Sequence, residues 1–126
     1  MSVECRVFTG LTLEFAKDLD SAAFEKYHEF VEKYPELDEY TYDRADREGK
    51  LLLIADGMSG EFIRLVQADH IYNGAMGETN EFRELAAPYG CFSSELFNKM
   101  KELYKEYTGE YPKNSDFKYA MWSQWH

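Results

Sequence analysis

At 126 residues the chain has the length of one domain, in which folding buries roughly two-thirds of the surface that the unfolded chain exposes. With 44% hydrophobic and 17% aromatic residues it has the apolar area that disordered acidic segments lack. The formal charge of −10, from 24 acidic against 14 basic side chains, repels nucleic acid and anionic membranes and argues against both as direct ligands.

The two cysteines, Cys5 and Cys91, form no close pair, no glycosylation acceptor occurs, and Met1 to Arg6 lacks the features of a signal peptide. No apolar run approaches the ~18 residues of a membrane span. The expectation is one α+β domain over residues 1–126, in the reducing cytoplasm.

Odd positions from Val3 to Phe15 are mostly apolar and even ones mostly polar, the two-residue period of a strand. Gly10 marks either a bulge in one long strand or the turn of a short hairpin. A helix follows from a cap at Asp20 or Ser21, with Phe24, Tyr27, Val31 and Tyr34 on one face, and Pro35 ends it. Residues 36–48 have no helical period and read as a loop or irregular edge. Leu51 to Ile54 is an uninterrupted apolar run suited to a central strand, and the turn Asp56 to Gly60 makes it a hairpin with Glu61 to Val66, continuing through Tyr72. Thr79 or Asn80 would cap a two-turn helix carrying Phe82, Leu85 and Ala86. Ser93 or Ser94 starts a longer one with Leu96, Met100, Leu103 and Tyr107 on its stripe and Gly109 as the stop. From Asp116 the period returns to two, predicting a last strand. The result is a small antiparallel or mixed sheet with two to three helices packed on one face, in a ferredoxin-like β-α-β-β-α-β arrangement.

Catalytic chemistry finds little support. Gly57-Met58-Ser59-Gly60 has the wrong spacing for a nucleophile elbow and precedes a strand. His28, His70 and His126 have no metal-ligand spacing, and His28 and His70 read as partly buried, hydrogen-bonded residues. Cys91 reads as a small apolar side chain securing its loop, with a thiol activated by the following helix as the rival reading. No catalytic residue, cofactor or metal is expected.

The remaining feature is the segment 36–48, whose six acids stand against two arginines. Glu36, Asp38, Glu39, Asp43, Asp46 and Glu48 have the spacing to imitate the phosphates of a nucleic-acid backbone, and Tyr40 and Tyr42 offer anchors among them. These eight residues are the expected protein-binding surface; the alternative is a solvated loop. In size, charge and architecture the chain resembles the small acidic inhibitors of phages and mobile elements, anti-CRISPR proteins among them. That resemblance implies a non-enzymatic protein that blocks a basic, nucleic-acid-handling partner. The rivals are a ligand-binding or enzymatic domain with a pocket at Tyr104 and Tyr107, and a structural homodimer joined through Tyr119, Trp122 and Trp125.

Overall fold

The computed structural model describes residues 5–17, 21–56, 62–74, 82–86 and 92–125. Strand β1, Cys5–Ala16, pairs antiparallel with β3, Phe62–Gly74, on one side and with β5, Lys118–Trp125, on the other. Strand β2, Leu51–Asp56, forms a hairpin with β3, and the two-residue β4, Arg83–Glu84, pairs with β5. The five strands lie in the order β2-β3-β1-β5-β4. Because β3 separates β1 from β2, helix α1, Ser21–Lys33, spans a split crossover, and helix α2, Ser94–Thr108, leads into β5. The fold is α+β, an antiparallel sheet with two α-helices among the described residues.

Gly10 is a bulge within one continuous strand: the register against β3 shifts between Thr9 and Gly10, and again between Glu14 and Ala16. A side chain at Gly10 does not fit, since its Cβ would stand 1.9 Å from the Gln67 carbonyl oxygen of the neighbouring strand. Gly10→Ala is therefore expected to cost at least about 1–3 kcal/mol in chemical denaturation, and an unchanged midpoint would show that the bulge yields freely.

These bulges accompany a strong curl of the sheet. Trp122 lies opposite Phe8, whereas Phe62 lies at the far end of β1, beside Ile63, the partner of Ala16. Phe8 and Ala16 would stand roughly 26 Å apart on a flat strand. Yet the Phe62 and Trp122 rings meet edge to face with centroids 5.1 Å apart, and Gln124 Nε2 donates to Ala55 O across the same gap at 2.8 Å.

The curl divides the core in two. On the concave side Phe8, Leu52, Ile54, Phe62, Val66, Ala68, Ala120 and Trp122 pack together. On the other, Leu11, Leu13, Phe15, Leu53, Ile63 and Leu65 meet Phe30 and Val31 of α1 and Met100, Leu103 and Tyr107 of α2. The apolar run Leu51 to Ile54 follows directly, because alternate residues enter different cores. Strand β2 stands at the end of the hydrogen-bonded order, not at its centre, and is buried on both faces all the same.

Both helices pack against the same side, as their stripes require. Helix α2 begins where the Ser93 hydroxyl accepts from Leu96 N, and ends at Gly109 with φ of 89°. The cap of α1 lies outside the described residues, as do the turn with Ser59, the thiol of Cys91, His126 and the side chain of Trp125.

Three sequence readings need correction. The segment containing Phe82, Leu85 and Ala86 is not helical where it is described: Arg83 and Glu84 pair with Met121 and Ala120, and Leu85 N donates to Tyr119 O. A two-turn helix is too short to stabilise itself, and the open edge of β5 supplies hydrogen bonds instead. His28 and His70 are exposed rather than partly buried, stacking on Phe24 and Tyr72. Trp122 is fully buried, so its ring belongs to the core and not to a subunit interface.

Candidate functional site

Residues 35–48 follow α1 and turn back toward β2 through three single turns of 3-10 helix, Pro35–Leu37, Glu39–Thr41 and Arg44–Asp46. Leu37 enters the helix-side core and Tyr42 packs against the concave one, so the segment is fastened at two depths. Asp38 Oδ1 accepts from Tyr40 N at 3.0 Å, and the Thr41 hydroxyl donates to Pro35 O at 2.6 Å. Tyr42 donates its hydroxyl proton to Glu36 O at 2.8 Å. The far end is tied to β3 by Ile71 N donating to Glu48 Oε1 and by Gly49 N donating to Ala68 O.

The strongest anchor is ionic. Arg6, on the concave side of β1, donates to both carboxylate oxygens of Glu39, at 2.9 and 2.6 Å, and to Gln124 Oε1 at 2.7 Å. Side-chain exposure is 7% for Arg6 and 2% for Glu39. Gln124 completes the network through Ala55 O, and Arg47 adds a bond from Nε to Glu39 O at 2.8 Å. Nearby, Tyr27 of α1 has its hydroxyl held well above the ordinary range, first by burial and then by the Asp38 and Glu39 carboxylates. Tyr40 is raised too, by burial and then by Glu39.

Glu39 therefore does not belong to an exposed acidic surface. Its carboxylate is spent inside the protein, and Asp38, Tyr42 and Glu48 each make a bond that shapes the backbone. Glu36, Asp43 and Asp46 remain exposed, and Tyr40 projects with 63% of its surface accessible. Sequence reasoning missed Arg6, a polar even position on the first alternating strand, and Gln124. Their common signal is register: both lie opposite one another on β1 and β5, beyond what one strand's pattern reveals.

Beside this anchor lies a recess of about 330 Å³ lined by Arg6, Arg44, Ala45, Arg47, Glu48, Ile71 and Asn73. A second, of about 680 Å³, lies between β3, β5 and the start of α2, where Tyr119 donates to Asp69 Oδ2 at 2.8 Å near His70, Phe92 and Ser93. The pocket expected at Tyr104 and Tyr107 is filled: the Tyr107 ring packs on Phe15 and Phe30, and Tyr104 meets Phe15 edge to face. Among the described residues no group of three or more His, Cys, Asp and Glu side chains is arranged to hold a metal ion. No described helix is long and apolar enough to cross a membrane.

No protein-family model, curated protein or solved structure matches the chain.

Proposed function

We propose that the chain is a non-enzymatic binding protein that engages a basic, nucleic-acid-handling protein through Glu36, Asp43, Asp46 and Tyr40, in the manner of small acidic inhibitors from phages and mobile elements. The observation that carries this reading is the buried Arg6–Glu39–Gln124 network beneath an irregular surface segment. Burying an ion pair is costly, and its best-attested return is one specified conformation. A connecting loop needs no such anchor, whereas a surface that must present carboxylates and an aromatic ring at fixed spacing does, since preorganisation lowers the cost of binding. Tyr40, amphipathic and projecting, suits the role of anchor.

The ferredoxin-like arrangement is part of this proposal. The split crossover and the two helices on one side support it, and the added β4 and the strong curl are this chain's departures.

The test is capture of host proteins by the tagged chain, followed by titration of the retained partner. Replacing Glu36, Asp43 and Asp46 by Gln or Asn together should weaken binding by roughly 10- to 100-fold, mostly through slower association, while leaving the melting temperature nearly unchanged. The wild-type complex should also weaken as salt rises. Unchanged affinity in the triple variant would end this reading of the acids. A salt-insensitive complex lost in Tyr40→Ala would transfer the interface to the aromatic ring.

A further inference from the structure

The recess beside the anchor gathers several of the basic side chains of an acidic chain. Among the described residues its wall carries three guanidinium groups in a protein of formal charge −10. Arg6 is balanced by Glu39, which it grips with two hydrogen bonds. Arg47 is different. It is only 8% exposed, its Nε is committed to Glu39 O, and its guanidinium carbon lies 5.4 Å from the centre of the Tyr40 ring. Among the described residues its two terminal nitrogens meet no acceptor. Glu48, the acid among the described wall residues, already receives the Ile71 amide. A guanidinium fixed through its Nε, with its outer edge open to the recess, is a preformed fork for a carboxylate or a phosphate.

The rest of the wall limits the ligand. Ala45 and Ile71 supply apolar surface, Asn73 can donate a hydrogen bond, and the volume of about 330 Å³ is at the small end of ligand sites. We propose that this recess binds a small organic carboxylate, its oxygens on the outer edge of Arg47 and its carbon skeleton against Ala45 and Ile71. A compact tetrahedral anion could pair with the same fork but would leave the apolar wall uncovered. Arg47 lies against the Tyr40 ring, so occupancy would couple to the proposed binding surface, but it does not depend on that surface having a protein partner.

The experiment is titration of the full chain with propionate, succinate and inorganic phosphate in separate arms at constant ionic strength, followed by NMR of the arginine Nε–H and asparagine amide groups. The expected result is saturable binding of a carboxylate with a dissociation constant in about the millimolar range or below, with shifts at Arg47 and Asn73. Arg47→Lys should weaken it about tenfold, because an ammonium cannot make the paired contact. Since Arg47 also holds the Glu39 backbone, Ala45→Glu provides a second variant that fills the recess with negative charge and leaves that bond alone; it should abolish binding. Saturation by phosphate alone, saturation by none of the three, or carboxylate binding that survives Ala45→Glu would each overturn the proposal.

Discussion

Replacing Glu39 by Ala should destabilise the protein by about 3–5 kcal/mol, as expected when one partner of a buried ion pair is removed. The variant keeps Arg6 at its place on β1, still under Tyr27, Tyr40 and the 35–48 segment, but takes away the carboxylate that receives two of its hydrogen bonds. Gln124 Oε1 remains as an acceptor, and it is neutral. Part of the loss will come from the segment itself, which gives up the fixed position of its central turn. Glu39→Gln, which preserves shape and one acceptor, should lose less. Replacing Arg6 and Glu39 together by Met and Leu should recover much of the deficit, because the desolvation cost disappears with the charges. Urea denaturation with a common slope across the series reads these differences. A loss below about 1 kcal/mol for Glu39→Ala would mean that the pair behaves like an exposed salt bridge, and the preorganisation argument would then lose its basis.

That prediction depends on a residue whose role was hidden in the sequence. Among six acids in residues 36–48, nothing local distinguishes Glu39, because the distinction comes from Arg6, 33 positions away, and from the curl that brings β1, β5 and the segment together. Features encoded over short distances were legible. The alternation of Cys5 to Phe15, the stripe and caps of the Ser94–Thr108 helix, the hairpin of Leu51–Asp56 with Phe62–Gly74 and the final strand all follow from periodicity and from a few stop residues. The sharp bend was not legible, since Gly10 allowed a turn or a bulge and only the pairing of β1 with β3 on both sides of it decides between them. Phe82 to Ala86 misled for the opposite reason: its apolar spacing suits a helix, but an unpaired strand edge was there to receive it. The candidate surface was legible as a segment and not as a set of residues, because exposure of each carboxylate depends on contacts between distant parts of the chain.

The same curl makes Trp122 the residue on which the concave core most depends. Its ring stacks on Phe8 with centroids 4.8 Å apart, meets Phe62 edge to face at 5.1 Å, and donates from Nε1 to Thr12 Oγ1 at 3.2 Å. The guanidinium of Arg64 completes the enclosure, 3.9 Å from the centre of Phe62 and 5.1 Å from that of Trp122, with its pKa lowered by burial and partly restored by Glu14. Truncation to Ala would remove a group that touches both ends of the curled sheet, leaving a cavity and an Arg64 cation with one aromatic face fewer. The expected cost is about 3–5 kcal/mol. Trp122→Phe should retain the stacking and lose the indole hydrogen bond, for a smaller penalty of about 1–2 kcal/mol. Because Gln124 lies two residues further along β5 and orders Arg6, Trp122→Ala should also loosen the 35–48 segment, which hydrogen exchange at Tyr40 and Tyr42 would register before global unfolding. Full stability in Trp122→Ala would contradict the close approach of Phe62 and Trp122, and with it the curl that places Arg6 beneath Glu39.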